Sequence, residues 1–244
     1  MNNYLKILGN MPVFDKSIFF DVVKEKENTY SDRTLEKILN ANINAGNIAR
    51  VGRNAYCIQG DLKQYRYEYC ELSNHIANIL YSDFYHLDFR IMELYQLNRF
   101  LNHQIAHNAI FVFVEKDISI SVFERLKKDY AGRVLINPSE KDFFNYRLED
   151  IIVVKNLLTE SPKGKTQFWH TDLEKLLVDL FSDKLLKEMF SESELPSIFE
   201  TSFANYIIDE SKMFRYAKRR KADKRIKQFI DCDTTVKLRL YKEL

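Results

Sequence analysis

Residues 31–58, SDRTLEKILNANINAGNIARVGRNAYCI, are the stretch that most limits how this chain can fold. Ser31 carries the hydroxyl that a helix N-cap needs, because it can accept a hydrogen bond from a free backbone N–H of the first turn. Gly46 lies where a left-handed residue commonly ends a helix. Between them the apolar residues recur at helical spacing: Leu35, Ile38, Leu39 and Ile43. The stretch therefore begins with an amphipathic helix.

Two short runs, 48–51 and 55–58, follow this helix and flank Gly52-Arg53-Asn54, which predicts a β-hairpin with Arg53 at its tip. A polar helix face followed by a basic hairpin is typical of the recognition half of a winged helix-turn-helix. Arg and Asn side chains can each bind a base edge through two hydrogen bonds. The candidate DNA-binding residues are Arg33, Lys37, Asn40, Asn44, Arg50 and Arg53. Helix–hairpin pairs also occur in domains that bind no nucleic acid, so a structural role stays open.

A domain boundary is expected near residue 62, because the period of the apolar residues changes after Gly60-Asp61. Residues 1–62 would form a winged helix-turn-helix. It would include a helix over 17–26, and Asn3–Gly9 would have to supply a third helix. Residues 63–244 would form a mixed α/β domain with a helical C-terminal part, which makes the chain α/β (α+β overall). The predicted strands of this domain are 65–69, 88–94, 109–114, 133–136 and 151–154, and its predicted helices are 72–80, 96–107 and 119–130.

The last third of the chain is predicted to be helical. Thr171 and Glu174 have the spacing of a capping box, and a stripe that must be buried follows: Leu173, Leu176, Leu177, Leu180, Phe181 and Leu185. Another helix should follow Pro196. Residues 211–230 are the most basic stretch, and their apolar side changes midway, which predicts a break near 221–223.

The basic C-terminal patch consists of Arg215, Lys218, Arg219, Arg220, Lys221, Lys224 and Arg225. Its cations point to nearly every side of the helix, as they do on a helix that is simply solvated. The alternative is a surface for RNA, a nucleotide or an acidic protein face, because the charge is locally dense.

Composition restricts the class of protein. With 45% hydrophobic residues, 30% charged residues and a formal net charge of +2, the chain is expected to be a soluble globular protein, and any case for nucleic acid must be local. No apolar run reaches the ~20 residues of a membrane span, and the N-terminus lacks the apolar h-region expected of a signal peptide. Cys57, Cys70 and Cys232 lack CxxC spacing, which favours a reducing cytoplasm and no zinc site.

Signs of catalysis are weak. A restriction-type nuclease needs Glu-x-Lys on one strand, whereas Glu115 and Lys116 are adjacent and would point to opposite faces, with Asp88 and Glu93 as the remaining acidic candidates. The chain has no Gly-Ser dipeptide, GxGxxG or P-loop. His103 and His107 have metal-binding spacing only if they share a helix, and no third ligand is evident. We therefore expect no enzyme, no metal and no cofactor, with a metal-dependent nuclease as the less favoured alternative.

Three segments resemble the AbiEi family, the antitoxins of type IV toxin–antitoxin (abortive infection) systems. GNIARVGRNAYCI resembles the family's wing, HTDLEKLLVDLFSDK its later long helix and FRYAKRRKADKRI its basic C-terminal helix. Asn54 stands where many relatives would have a glycine. The resemblance implies a winged-helix domain that binds operator DNA and represses its own operon. It also implies a second domain that counters a nucleotidyltransferase-like toxin without a stable complex. A stand-alone regulator or interaction protein of the same build is the alternative.

Overall fold

The structure is a computed structural model that describes residues 3–25, 30–146 and 149–240. The helices within these residues are α1 (Asn3–Gly9), α2 (Lys16–Lys24), α3 (Asp32–Asn44), α4 (Glu71–Asp83), α5 (Ser119–Asp129), α6 (Glu140–Asn145), α7 (Leu173–Ser182), α8 (Lys184–Lys187), α9 (Leu195–Asn205), α10 (Glu210–Arg219) and α11 (Asp223–Asp233). The strands are β1 (Ile48–Gly52), β2 (Ala55–Ile58), β3 (Phe89–Glu93), β4 (Ala109–Val114), β5 (Val134–Ile136) and β6 (Ile151–Asn156). The chain is mixed α/β with two sheets.

Three helices precede the hairpin, and α1 is the helix that the sequence left undecided. The Ser31 hydroxyl caps α3 by accepting a hydrogen bond from the backbone N–H of Thr34 at 3.3 Å. Gly46 follows the helix at φ +74°, a conformation that costs glycine nothing. Helix α2 covers the predicted segment 17–26 as far as Lys24, and Lys26 lies outside the described residues.

The hairpin of β1 and β2 turns through Arg53-Asn54, with Gly52 paired to Ala55. Asn54 adopts φ +52°, a left-handed conformation that asparagine tolerates better than most residues, so it can stand where a glycine was expected. Phe14, between α1 and α2, exchanges two backbone hydrogen bonds of 2.9 Å with Tyr56 of β2. The hairpin is therefore fixed to the helices that precede it.

The second sheet has the strand order β3-β4-β6-β5. Strand β3 is antiparallel to β4, whereas β4, β6 and β5 run parallel, as the alternation of strands and helices predicts. Successive side chains of a strand point to opposite faces, so AIFVFV in β4 supplies both layers of the core. Helices α4 and α5 cover one face, and α7 with α9, α10 and α11 covers the other.

The predicted strand over 65–69 is wrong. The segment has no regular secondary structure and lies outside every sheet, because the outer edge of β3 is already occupied by residues 169–171. The N–H of Ile91 donates to the carbonyl of Trp169 at 2.8 Å. The tyrosine side chains attach the segment instead, with the Tyr69 hydroxyl donating to the Ile91 carbonyl at 2.9 Å.

The predicted helix over 96–107 is also wrong. A short 3-10 helix spans Leu94–Arg99, and an irregular segment follows it. The Asn98 side chain accepts a hydrogen bond from the N–H of Ile105 at 2.7 Å. This bond takes a backbone donor that would bind a backbone carbonyl in a helix. The apolar residues of this segment still pack on the core, so the pattern indicated burial correctly and helix wrongly. The sequence also missed α6, which Ser139 caps.

The predicted capping box at Thr171 and Glu174 does not form. Asp172 is the N-cap of α7, and the Thr171 hydroxyl donates to the Ile91 carbonyl at 2.8 Å instead. Glu174 points into the core, where its carboxylate accepts a hydrogen bond from the N–H of Asp209 at 2.8 Å. The leucine stripe of α7 is buried as predicted. The predicted break near 221–223 is confirmed, because α10 ends at Arg219 and α11 begins at Asp223.

Helix α7 also buries charge. Lys175 is fully buried, pairs with Asp179 one turn later, and lies with its ammonium 3.4 Å from the centroid of the Phe113 ring. Asp179 also accepts a hydrogen bond from the Tyr216 hydroxyl of α10 at 2.8 Å. Burial lowers the pKa of Lys175, although the charge of Asp179 opposes this shift. The pair therefore joins the sheet, α7 and α10 at one point in the core.

In the described parts of the chain, no helix has the combination of length and apolar content that a bilayer crossing requires. Cys57, Cys70 and Cys232 are free thiols.

Glu174 makes stability depend on pH. Burial, followed by the charge of Asp172, raises the pKa of its carboxyl to about 7. The folded chain therefore keeps a proton that the unfolded chain loses above its ordinary carboxyl pKa. The free energy of unfolding should fall between pH 5 and pH 8, by up to about 3 kcal/mol. Glu174→Gln keeps the side-chain oxygen that accepts the hydrogen bond and removes the titrating carboxyl. In urea unfolding, we therefore expect the free energy of unfolding of this variant to exceed that of wild type by an amount that grows with pH.

The exposed carboxyl Glu124 of α5 supplies the control for this measurement. Glu124→Gln should unfold in parallel with wild type across the same pH range. Parallel curves for Glu174→Gln and wild type would contradict the assignment.

Candidate nucleic-acid interface

The outer face of α3 presents four polar residues to solvent. Arg33, Lys37, Asn40 and Asn44 are exposed, and none of these side chains makes a hydrogen bond or ion pair with another described residue. The neighbouring acidic residues of α3 are used elsewhere, since Asp32 pairs with Lys24 and Glu36 pairs with Lys16 of α2. Because the acidic residues are paired with α2, the cations and amides of this face remain available to a ligand.

The hairpin packs on α10 and does not stand free of the rest of the chain. The N–H of Arg53 donates to the Ser211 hydroxyl of α10 at 3.2 Å. Gly52 lies so close to Ser211 and Leu240 that a Cβ at this position would contact both side chains. Apolar residues from β1 and β2 share a cluster with Ile207 and Leu240. The Arg53 side chain remains exposed, and the Arg50 guanidinium donates to the Gly52 carbonyl at 3.1 Å.

Residues of α3, the hairpin and α10 line a groove of about 590 Å³. Its lining combines cations from three parts of the chain: Arg50, Arg53, Lys165, Lys212 and Arg215. Asp209 is the one carboxylate among the residues that line it. Ile43 of α3 lines the same groove and immediately precedes Asn44. The outer face of α3 and the groove therefore adjoin and together form what we call the hairpin surface.

The C-terminal segment holds this arrangement together. The buried carboxylate of Glu210, in the first turn of α10, accepts hydrogen bonds from the N–H groups of Arg239 and Leu240 at 2.8 and 2.9 Å. Earlier in the segment, the N–H of Thr235 donates to Glu200 at 2.7 Å. Leu240 thereby reaches the hairpin cluster, so residues at both ends of the chain build the hairpin surface.

Lys63 adds a connection at the predicted boundary. Its N–H donates to the Asn205 carbonyl and its carbonyl accepts from the N–H of Ile207, both at 2.9 Å. The division of the chain at 62/63 remains a prediction, and the structure packs the two parts on each other through α10.

The basic C-terminal patch does not form one continuous surface. Arg215 lines the groove beside the hairpin and pairs with Glu160 at 2.9 Å. Arg219 and Lys221 are exposed at a second cleft, beyond the C-terminus of α10. Lys218 and the two patch residues of α11, Lys224 and Arg225, are exposed and line neither.

Arg220 is the member of the patch that belongs to the core. Its guanidinium lies 3.4 Å from the Asp179 carboxylate, donates to the Ser182 hydroxyl at 2.8 Å, and pairs with Asp183 at 3.3 Å. Asp183 is also held by Lys155, whose ammonium donates to both carboxylate oxygens at 2.7 and 2.6 Å. Arg220 therefore bridges two carboxylates, one of which is the partner of Lys175.

The acidic nuclease candidates are divided between different environments. Glu93 is buried and accepts hydrogen bonds from the Tyr67 hydroxyl at 2.7 Å and the Cys70 N–H at 2.8 Å. Asp88 and Glu115 line one cleft of about 460 Å³, but Asp88 pairs with Arg90 at 2.8 Å and with Lys163 at 3.4 Å. Within the described residues, no three His, Cys, Asp or Glu side chains form a group that could hold a metal ion.

The predicted metal spacing of His103 and His107 is lost, because their segment is not helical. His107 pairs instead with Glu149 at 2.6 Å, and the hydrogen bond from His107 lowers the pKa of the Glu149 carboxyl.

Sequence reasoning missed Lys165 and Lys212 as neighbours of the hairpin. Lys165 lies in a polar loop that comes near the hairpin only through the tertiary fold, where its ammonium donates to Gln64 at 2.9 Å. Lys212 stands in the basic stretch next to Ser211, and its pairing with Asp172 could not be foreseen from spacing. No local pattern marks either residue, because the two lie more than 100 residues from the hairpin in sequence.

Arg220 and Lys218 provide a matched pair of substitutions in the basic patch. Arg220→Ala removes a partner from two buried carboxylates, so we expect a loss of about 2–4 kcal/mol in the free energy of unfolding. Lys218→Ala removes an exposed cation of α10 and should change stability by less than about 0.5 kcal/mol. Urea unfolding of both variants at pH 7 measures the difference, and equal effects would contradict a core role for Arg220.

Comparison with protein-family models matches residues 34–235 to a family of unknown function, DUF6577. The match begins inside α3 and ends beyond α11, so it includes the hairpin, the four-stranded sheet and α10. A search of curated proteins gives no match. Since the family model covers most of the 244 residues, the chain belongs to the DUF6577 family, a family of unknown function.

Proposed function

We propose that this protein is a DNA-binding antitoxin and transcriptional autorepressor of a type IV toxin–antitoxin system. Its N-terminal part would act as a winged helix-turn-helix on operator DNA of its own operon. The observation that carries the proposal is the hairpin surface, in which the free polar face of α3 adjoins a groove lined by five cations and one carboxylate.

The order of elements supports a winged helix. Helices α1, α2 and α3 are followed by the hairpin, and Phe14 between the first two helices pairs with β2. In this arrangement α3 would enter the major groove, and Arg50 and Arg53 would contact the adjoining phosphates. The packing of the hairpin on α10 favours a rigid wing, which lowers the entropy lost on binding.

Positive charge is concentrated at the hairpin surface. A protein of nearly neutral net charge needs such a local concentration in order to bind DNA. The formal net charge of the chain is +2, yet five cations and one carboxylate line the groove. Lys212 and Arg215 are paired with Asp172 and Glu160, and the other three cations pair with no described carboxylate. Neutralising phosphates releases counterions, so a few well-placed cations are enough for salt-dependent affinity. Asn40 and Asn44 add amides that could bind adenine edges.

The antitoxin half of the proposal concerns the sheet and the helices that cover it. These residues form most of the chain, and repression by itself would need only the N-terminal part. We propose that they counter a nucleotidyltransferase-like toxin by binding and not by catalysis, because two of the three acidic candidates, Glu93 and Asp88, are engaged by hydrogen bonds or cations. A stand-alone regulator without a toxin would have the same hairpin surface, and the gene next to this one distinguishes the two possibilities.

The DNA half is tested by fluorescence anisotropy with duplex from upstream of the reading frame. Arg50→Ala with Arg53→Ala should weaken binding and reduce the slope of log K against log salt by about 2, which is about 1 for each lost phosphate contact. Asn40→Ala should instead reduce discrimination between sequences by about 1–3 kcal/mol if it binds a base.

The control for this experiment removes the same charge from a distant site. Lys127→Ala with Lys128→Ala, both exposed on α5, should leave affinity and salt slope unchanged. Circular dichroism must show an intact fold in each variant, because Arg50 also bonds within the hairpin. If the Arg50/Arg53 variant binds as wild type does, the winged-helix assignment fails.

The antitoxin half is tested by co-expression with the product of the neighbouring gene. Arg219→Glu with Lys221→Glu changes two exposed cations and leaves the core residue Arg220 in place. We expect this variant to lose neutralisation of toxicity while its operator binding stays within about two-fold, because neither residue lines the hairpin groove. Lys127→Glu with Lys128→Glu should neutralise normally. Full neutralisation by the folded Arg219/Lys221 variant would mean that these cations take no part in countering the toxin.

A further inference from the structure

A cleft of about 780 Å³ opens beside the carboxyl ends of β5 and β6. Pro138 and Ser139 follow β5, Lys155 lies near the end of β6, and the junction of α7 with α8 closes another side. In open α/β sheets, ligands bind beyond the carboxyl ends of parallel strands. The cleft is also within the size range of small-ligand sites in proteins, about 300–1,000 Å³.

Positive charge dominates the lining of this cleft. Six cations line it, namely Lys141, Lys155, Lys184, Arg219, Arg220 and Lys221. The two carboxylates among the lining residues are Glu140 and Asp183, so the cleft carries an excess of four positive charges. Asp183 is already engaged by Lys155 and Arg220 and also caps α8. A ligand at this site would therefore meet almost only positive charge.

Helix capping does not explain these cations. A cation is favourable at a helix C-terminus, which accounts for Arg219, but it is unfavourable at an N-terminus. Lys184 is the first residue of α8 and Lys141 is the second residue of α6. Lys155 comes from a strand. Pairing with Asp183 accounts for Lys155, whereas local preference does not explain Lys141 and Lys184 at their helix N-termini. A shared anionic ligand would explain both.

Two of the cations are held in place and keep free donors. The side chains of Lys155 and Arg220 are each only 16% exposed, and buried carboxylates fix both. An ammonium has three N–H donors, and Asp183 takes two of those on Lys155. A guanidinium has five donors, and Ser182 and Asp183 accept from two of those on Arg220. The remaining donors are pre-oriented, so less side-chain entropy is lost when an anion binds.

We propose that this cleft binds a small ligand through a chain of two or more phosphate groups, such as a nucleoside triphosphate or inorganic polyphosphate. One phosphate would not engage cations spread over α6, α8, β6 and α10, whereas a polyphosphate chain presents several acceptors at once. The apolar residues of the lining are Pro138, Leu158 and Leu185, without an aromatic ring to stack on a base. The cleft would therefore recognise its ligand through the phosphate groups. The proposal stands independently of DNA binding by α3.

Isothermal titration calorimetry on the purified full-length chain tests the proposal, with tripolyphosphate, ATP and orthophosphate as probes. Wild type should bind tripolyphosphate and ATP at one site, more weakly as salt rises, and orthophosphate at least about ten-fold more weakly. Lys184→Ala with Arg219→Ala and Lys221→Ala should weaken both polyphosphates at least about ten-fold. These three residues are exposed, so the fold should survive their removal.

Lys127→Ala with Lys128→Ala and Lys237→Ala supplies the control, because it removes the same charge from exposed positions outside the cleft. The control should bind within two-fold of wild type. If the cleft variant melts early, the single change Lys184→Ala takes its place, with an expected weakening of about two- to three-fold.

Either ranking of the two polyphosphates supports the proposal. Equal affinity means that the phosphate chain alone is bound, and tighter ATP means that the nucleoside contributes. Three results would overturn it: no polyphosphate binding to wild type at millimolar concentration, equal weakening in the cleft and control variants, or binding of a 20-nucleotide RNA that depends on the cleft while tripolyphosphate does not bind. The cleft variant should keep its DNA affinity, so failure here and failure of the proposed repressor are distinguishable.

Discussion

The contact between Lys175 and Asp179 is the interaction on which the rest of the structure depends. Asp179 pairs with Lys175 of its own helix, with Tyr216 of α10 and with Arg220 directly after α10, so one buried carboxylate fixes both the position and the rotation of α10. A buried ion pair of this kind contributes little net stability compared with an apolar replacement. The pair instead specifies how α7 and α10 pack, because any arrangement that separates its two residues leaves an uncompensated charge in the core.

Helix α10 transmits that geometry to two surfaces. Its first turn carries Ser211 and Glu210, which hold the hairpin and the C-terminal segment. Its last turn carries Arg219, and Arg220 follows directly. Both residues line the cleft beside the carboxyl ends of β5 and β6. The cations of the basic stretch therefore lie in three different places: the groove beside the hairpin, the core, and the cleft beside β5 and β6. The match to the family includes the hairpin, α10 and the cleft, as expected if they form one functional unit.

The parts of the fold that are determined by local periodicity could be predicted from sequence. The cap and apolar face of α3, the hairpin, AIFVFV in β4 and the break after α10 all depend on spacing within a few residues. Residues 96–107 were mispredicted because the Asn98 side chain takes the N–H of Ile105, and residues 65–69 because residues 169–171, far away in sequence, occupy the edge of β3. For the same reason Arg220 looked like a surface cation: its carboxylate partners lie about 40 residues earlier, on and beside α7.

The central claim is that duplex DNA binds at the hairpin surface, and lysine footprinting by mass spectrometry tests it most directly. Lys37 of α3 and Lys165 of the groove are exposed, so both should be acetylated in the free protein. Duplex DNA should lower the acetylation rate of both, while Lys127 and Lys128 on α5 keep theirs. Unchanged rates at Lys37 and Lys165 under conditions where DNA is bound would contradict the account.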